Sequence, residues 1–326
     1  MMQSVRLIGV VIFIYIMLGI DIQSVIRSAI EIPLVYTIIL ILSVIPVMFL
    51  RGARWRVVAE GMDLSLTTQE ATEALCMAQL ANLFIPGSFG DLIRIPYMKH
   101  KGNQVEKSII SILLDAILGS FIPFTIGILA LAVILEVSIS IEALLLGSIW
   151  LLGGYIFYRI LRATLWSRFM KARLTRLMRE GISGRAFFTL PSMLKSMGSR
   201  RIVISMVLAL GLFALNVSQA YLLAISLNIV IQWTYLAVTL GLTMMMMAIP
   251  VTIQGLGIRE SVLLFMLTRL SIEPAIIVSF SLTLMAINLI PAIAGIVIWA
   301  RNPFVDITDQ AVLDDDVIWP PFLDQM

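Results

Sequence analysis

Five charged residues stand inside strongly apolar stretches of this sequence, where a charge is costly. They are Asp91, Arg94, Asp115, Arg259 and Glu260. Ionisable side chains within membrane segments are functional candidates because they are rare and need a partner or a wet cavity. Arginine offers a planar fork of donors that can hold a phosphate by two hydrogen bonds, which lysine cannot do. The two arginines, each with a nearby acid, therefore predict a binding site for an anionic headgroup.

Both arginines follow a segment that contains proline and glycine. The first segment reads N-L-F-I-P-G-S-F-G-D-L-I-R over 82–94, and the second reads A-I-P-V-T-I-Q-G-L-G-I-R-E over 248–260. Proline lacks a backbone donor and glycine admits unusual dihedral angles, so we expect two non-helical tips. The tip residues are Asn82, Pro86, Gly87 and Gly90 in the first segment and Pro250, Gly255 and Gly257 in the second. Broken helices of this kind often line a transporter's binding site.

Half-helices are predicted to begin at Asp91 and Ile258, where the apolar pattern resumes after glycine. A helix N-terminus carries unpaired amides and about half a positive charge, which attracts anions. A structural role stays open: Asp91 can pair with Arg94, three residues away, and Arg259 and Glu260 can neutralise nearby groups.

Asp115 and Asn82 each have more than one interpretation. Asp115 can pair with Arg94, take part in proton coupling, or lie solvated near the membrane surface, and the arginine partner is favoured. Asn82 can bond the carbonyls that the first tip exposes, or pack as an amide between helices.

The elements that carry these residues follow from composition. The 326 residues are 60% hydrophobic and 13% charged, with a mean hydropathy of +1.01, which is typical of an all-α integral membrane protein. We predict a polytopic helical bundle of about six full spans and two re-entrant broken-helix hairpins, with the two hairpins as an inverted repeat. The apolar spans are 7–20 (extended through Arg27), 32–50, 108–135, 143–158, 202–227 and 274–300. The hairpins cover about 68–97 and 229–270.

The basic residues orient these segments, because Lys and Arg concentrate in short cytoplasmic loops. The clusters at 51–56, 99–107 and 159–201 predict cytoplasmic positions, whereas 136–142 and 228–233 contain no Lys or Arg. Segment 68–97 has basic flanks on both sides, so we expect it to enter and leave at the cytoplasmic face.

Segment 229–270 is then expected to enter from the opposite face, with both termini of the chain cytoplasmic in the cell membrane. Two ordinary spans with an external C-terminus are the alternative. The transmembrane domain is predicted to occupy 1–301, followed by an acidic tail at 302–326.

The loop at 159–201 has eleven basic residues and one acid, a net charge of +10. Its apolar residues recur at helical spacing, which indicates an amphipathic helix on an anionic leaflet. It serves either as a topology anchor or as a platform that collects lipid. Nucleic acid is not an expected partner, because apolar spans bracket the loop.

Several classes of function are excluded or disfavoured. The one cysteine, Cys76, permits no internal disulfide, and together with the one histidine, His100, it cannot complete a zinc site of four Cys and His ligands. No phosphate-cradling P-loop is present in the sequence. We therefore expect no enzymatic activity, no metal and no cofactor.

The sequence resembles the lysylphosphatidylglycerol synthase transmembrane family, also called flippase-like or UPF0104. The resemblance rests on R-x-x-R-W at Arg51, Arg54 and Trp55, and on the two broken segments, and it covers roughly 1–301. The family often has Glu where this chain has Asp91. The resemblance implies a multi-pass protein that moves a lipid or glycolipid between leaflets. Only 25 residues follow Arg301, so the soluble synthase domain and its activity are not expected.

The leading functional hypothesis is a lipid or glycolipid translocase that binds an anionic phospholipid or a polyprenyl-linked lipid at the two hairpin tips. One alternative is a non-transporting membrane subunit that docks a glycosyltransferase or aminoacyltransferase. Another is an ion-coupled carrier of small solutes that uses Asp115.

Overall fold

The computed structural model describes residues 11–84, 86–134, 197–248 and 255–301, with the backbone alone at 86–89. Helices make up these ranges, and no strand occurs in them. The α-helices are α1 (Val11–Leu18), α2 (Ile22–Ile30), α3 (Leu34–Glu60), α4 (Thr68–Phe84), α5 (Arg94–His100), α6 (Val105–Ile134), α7 (Ser199–Ser226), α8 (Trp233–Met247), α9 (Ile258–Leu267) and α10 (Pro274–Arg301). Short 3-10 helices occupy Pro86–Ile93 and Thr268–Leu270.

Four helices, α3, α6, α7 and α10, are long and apolar enough to cross a membrane. The bent pair α1 and α2 makes a fifth if it counts as one span. The prediction of an all-α polytopic membrane protein is confirmed. The predicted span 143–158, residues 159–196 of the basic loop and the tail 302–326 lie outside the described residues. The last residues of that loop, Arg200 and Arg201, lie in the first turn of α7.

The first predicted span, 7–20 extended through Arg27, is bent between two helices. Helix α1 ends at Leu18, and α2 leaves it at an angle of 91°. Asp21 starts the new helix, because its carboxylate accepts hydrogen bonds from the Gln23 amide at 3.0 Å and the Ser24 hydroxyl at 2.7 Å. Such a side-chain cap satisfies amides that an uninterrupted helix would have bonded internally.

Helix α3 continues beyond the apolar run 32–50 to Glu60. The basic residues at 51–56 therefore lie on its last turns. Arg54 and Trp55 are buried, whereas Arg56 is exposed and pairs with Glu60 at 2.6 Å. This extension carries arginines into the protein interior.

The segment 68–97 folds as α4, a 3-10 helix and the start of α5. The expectation of a non-helical tip is wrong here, and the α-helix begins at Arg94 rather than Asp91. Proline fits the first turn of a helix, which explains why Pro86 starts a 3-10 helix. Gly90 lies so close to Ala81 and Asn82 that a Cβ would collide with their backbone.

The residues that flank this segment on its two sides lie next to each other. Asn103 accepts a hydrogen bond from the Ser65 amide at 3.0 Å and donates one to the Ser65 carbonyl at 3.2 Å. A hairpin requires this closure. Its re-entry into a membrane stays a prediction.

Segment 229–270 contains α8 and α9, and residues 249–254 between them lie outside the described residues. Helix α9 begins at Ile258, as predicted, directly after Gly255 and Gly257 at φ of 78° and 85°. Left-handed backbone of this kind suits glycine. Pro250 lies outside the described residues. The Tyr235 hydroxyl donates to the Met266 carbonyl at 2.8 Å, so this segment also ends beside its start.

Small residues set the closest helix crossings. A Cβ on Gly295 of α10 would collide with the Cys76 backbone of α4, and one on Gly127 of α6 would meet the Gly241 backbone of α8. Close approach through small residues is how helices pack where lipid removes the hydrophobic drive between them. Helix α4 packs against α3 and α10, and the 3-10 helix of the first hairpin packs against α4 and α6.

Candidate functional site

Asp115 on α6 lies at the centre of a group of buried charges. Its Oδ1 accepts a hydrogen bond from Nε of Arg54 at 2.9 Å, and its Oδ2 accepts one from Nη1 of Arg94 at 3.2 Å. The aspartate is only 3% exposed. One carboxylate thus joins α3, α6 and the start of α5, and the arginine partner favoured by the sequence is present.

Two neighbours fix these arginines in place. The Arg94 guanidinium lies over the Trp55 ring, 4.7 Å from its centroid, and Trp55 donates to the Ser111 hydroxyl at 3.4 Å. Gly119 makes room for Arg54, since a Cβ there would collide with the guanidinium. The aromatic face and the missing side chain both favour arginine at these positions.

Asp91 belongs to the same group but is held more loosely. Nη2 of Arg94 lies 3.5 Å from its Oδ2, and Nε of Arg94 donates to its carbonyl at 3.3 Å. Asn82 donates to its Oδ1 at 3.3 Å, so the asparagine bonds the acid of the tip. The Asp91 side chain remains 18% exposed.

Arg51 is the fifth member of the group of charged residues around Asp115. Its partly buried guanidinium makes no hydrogen bond or ion pair with any residue that the structure describes, yet it interacts electrostatically with the other four members. We call Arg51, Arg54, Asp91, Arg94 and Asp115 the basic cluster. Its members carry three positive charges and two negative ones, so one positive charge is left without a carboxylate.

Sequence reasoning assigned no binding role to Arg51 and Arg54. The apolar run ends at Leu50, so the bases that follow looked like a cytoplasmic flank. Their spacing of three residues, which puts both on one helix face, was the signal that pointed inward.

Arg259 and Glu260 form a second group, at the start of α9. Glu260 Oε2 accepts from the Gly257 amide at 2.7 Å, and Oε1 accepts from Nη2 of Arg259 and from the Ser281 hydroxyl, both at 2.7 Å. Nε of Arg259 also lies 2.7 Å from Ser281 on α10. We call Arg259, Glu260 and Ser281 the α9 clasp.

The contacts of the α9 clasp agree with a structural role for Arg259 and Glu260, in which the two residues neutralise each other. The Glu260 carboxylate caps the helix end where the sequence predicted attraction for an external anion, and it balances the charge of Arg259. Within the described residues, no hydrogen bond or ion pair joins the clasp to the basic cluster. The predicted headgroup contacts of Arg259 and Glu260, and a meeting of the two tips, stay predictions.

The protein-family model of the lysylphosphatidylglycerol synthase TM region matches residues 4–295 of this chain. The chain belongs to this family. The matched range contains the basic cluster and the α9 clasp. Among curated proteins, none matches the chain significantly. Family membership and the apolar helices together show a multi-pass membrane protein. No group of three or more His, Cys, Asp and Glu able to hold a metal occurs among the described residues of this family member.

Proposed function

We propose that this protein is a lipid translocase whose basic cluster binds the anionic headgroup of a phospholipid or polyprenyl-linked lipid. The observation that carries the proposal is the unbalanced charge of Arg51 beside two ion-paired arginines. A buried charge without a partner is strongly destabilising. An anion beside Arg51 would remove that cost, and the protein would move this lipid without changing it chemically.

The arrangement of exposure supports entry of a phosphate from one side. Asp115 and Arg94 are closed off from solvent, whereas Arg51 and Asp91 remain partly accessible. The guanidinium of Arg51, which has no ion pair with a described residue, can hold two phosphate oxygens by parallel hydrogen bonds. The buried ion pairs of Asp115 with Arg54 and Arg94 would then lie beneath the headgroup and keep their contacts when it binds.

A lipid is a better ligand than a free anion because of the cluster's setting. Two of its members belong to α3, which is long and apolar enough to span a membrane, and a third belongs to α6, another such helix. The remaining two lie on a helix break, and breaks of this kind line substrate sites in transporters. The acyl chains would remain in the bilayer beside the exposed apolar faces of these helices.

Proton coupling through Asp115 receives no support from this geometry. Two guanidinium groups bond its two oxygens, and opposite charges at this distance favour the ionised carboxylate. Asp115 therefore acts in the proposal as a fixed counter-charge rather than as a proton carrier.

The test is lipid movement by the purified full-length protein in liposomes that contain fluorescent anionic phospholipids. Wild type should move lipid between leaflets faster than protein-free liposomes. Arg51→Gln should slow movement about tenfold or more, because a hydrogen bond to a charged group is worth about 1.5–3 kcal/mol. Arg51 bears no ion pair with a described residue, so this substitution should leave folding intact.

Arg56→Gln is the matched control, because Arg56 lies on the same helix but faces outward and pairs only at the surface. It should transport like wild type. Wild-type protein that moves no lipid above the protein-free rate contradicts the translocase, and equal rates in both variants contradict the headgroup site.

A further inference from the structure

The charge count of the basic cluster limits the charge of its ligand. We infer that the site selects a headgroup with a single negative charge on phosphate, a phosphodiester, over a phosphomonoester or a diphosphate. The inference rests on the proposed function, since it assigns a ligand class to the same site.

Two of the three arginines in the basic cluster are already neutralised. Asp115 gives one oxygen to Arg54 and the other to Arg94, and Asp91 adds a longer contact to Arg94. These four residues sum to zero. Only the charge of Arg51 is left for a ligand, and one phosphodiester balances it.

Three surface cations on the neighbouring segments are already paired with carboxylates. Lys101 lies 2.9 Å from Glu70, Arg56 pairs with Glu60, and Lys107 lies 3.4 Å from Asp63. A second negative charge on the ligand would therefore exceed the single excess positive charge of the basic cluster, in a partly buried site. Burial of such a charge is unfavourable even when the first charge is paired.

Glu73 is a further carboxylate near this site. Its Oε1 accepts from Gln69 at 2.9 Å, and it also interacts electrostatically with Cys76 and Tyr97. Glu73 thus belongs to a separate polar group on α4 and does not neutralise Arg51. Glu73→Gln consequently tests the count directly.

Asp91 is the residue that sets the selectivity. It is the more exposed of the two acids and makes the longest ion pair of the cluster. Asp91→Asn keeps its size while it raises the excess charge from one to two. The variant should therefore accept a doubly charged phosphate.

The experiment compares two ligands that differ by one methyl group, short-chain phosphatidylmethanol and short-chain phosphatidic acid. Each competes with a fluorescent short-chain phosphatidylglycerol for the full-length protein in detergent. At about pH 8 phosphatidic acid carries a charge of about −2, because the second pKa of a phosphomonoester is about 6. Wild type should then bind phosphatidylmethanol about tenfold more tightly.

The wild-type protein also provides a test without substitution. At about pH 5 phosphatidic acid carries mainly one charge, so the preference should fall to within about threefold. Asp91→Asn should lose the preference at about pH 8, whereas Glu73→Gln should keep it. Equal binding of the two lipids by wild type at about pH 8, no binding of either, or an equal loss in Glu73→Gln overturns the inference.

The proposed selectivity and the proposed translocase function can be contradicted independently of each other. Selective binding without lipid movement in liposomes overturns the translocase and leaves the selectivity in place. Lipid movement without selective binding overturns only the selectivity.

Discussion

Asp115 shows how one residue organises three helical segments. Its two oxygens bond arginines from α3 and from the start of α5, and all three side chains are buried. Buried ion pairs often add little net stability over apolar side chains, because desolvation offsets their attraction. Removal of one partner is different, since it leaves the other charges buried and uncompensated.

Asp115→Asn should therefore lower the free energy of unfolding by about 3–5 kcal/mol, because it leaves both arginines without their shared carboxylate. Thermal unfolding of the purified protein, followed by tryptophan fluorescence, measures the loss. Asp63→Asn is the control: Asp63 is 89% exposed and contacts Lys107 at 3.4 Å, so its loss should stay below about 1 kcal/mol. Equal melting temperatures for the two variants would show that the buried charges are not coupled to folding.

Residue types and local spacing predicted part of this site. Arg94, Asp91 and Asp115 were predicted because each interrupts an apolar run. Arg54 was not, because it follows such a run, and its pairing with Asp115 depends on how α3 crosses α6. The register between helices 61 residues apart in the chain is a tertiary property that no local pattern encodes.

At the scale of helices, glycine decides how closely α4 and α10 approach. Gly295→Ala should lower the free energy of unfolding by about 1–3 kcal/mol, because its Cβ would collide with the Cys76 backbone, which cannot move as a side chain can. Gly211→Ala on α7 is the control, since a Cβ there would lie 3.6 Å from Leu50. Thermal unfolding of the two variants should give a clear loss only for the first. A loss of the same size in Gly211→Ala would assign the effect to helix glycines in general.

The contact between the start of α4 and the end of α5 gives a pH dependence. The ammonium of Lys101 and the Thr67 amide hydrogen bond to Glu70 and lower the pKa of that carboxyl from 4.5 to about 2. A lowered folded-state pKa stabilises the protein above the ordinary pKa, and the contribution disappears as the pH falls from about 4.5 towards 2. The pair is partly exposed, so its contribution to the free energy of unfolding should be about 1 kcal/mol.

Wild type should accordingly melt at a higher temperature than Glu70→Gln at neutral pH. The gap should narrow at about pH 3, because the carboxyl of the unfolded chain is then mostly protonated. Melting curves of both proteins across this range measure the gap. A gap that widens on acidification would mean that Lys101 does not stabilise the ionised form.

Pro86 and Gly90 in the first segment, and Gly255 and Gly257 in the second, lie where α-helix is interrupted, but these residue types did not determine the form of each interruption. Ile258 starts α9 because two glycines at positive φ precede it. In the first segment the same residue types form a 3-10 helix, since Gly90 lets that stretch pack directly on the α4 backbone. Local dihedral preference predicts where a helix can stop, whereas tertiary packing selects what replaces it.

At the scale of the whole molecule, charge placement predicts the topology. Segment 99–107 contains Lys99, Lys101 and Lys107, whereas 228–233 contains no basic residue. Basic residues favour the cytoplasmic side of short loops. If 229–270 is a re-entrant hairpin, its two ends lie on one side of the membrane, as the bond from Tyr235 to Met266 allows. If it instead crosses the membrane once, its ends lie on opposite sides.

Cysteine labelling separates these topologies. In a Cys76→Ala background, single cysteines replace Gln104, Val230 and Glu273, which are all exposed, and cells are treated with a membrane-impermeant maleimide. Val230→Cys and Glu273→Cys should react in intact cells, because both ends of the second hairpin are expected outside. Gln104→Cys should react only after permeabilisation, because it lies among the lysines of 99–107. Reaction of Glu273→Cys only after permeabilisation, with Val230→Cys still external, would replace the hairpin by a single crossing and place the C-terminus outside. The basic cluster would keep its contacts in either case, since none of its members belongs to that segment.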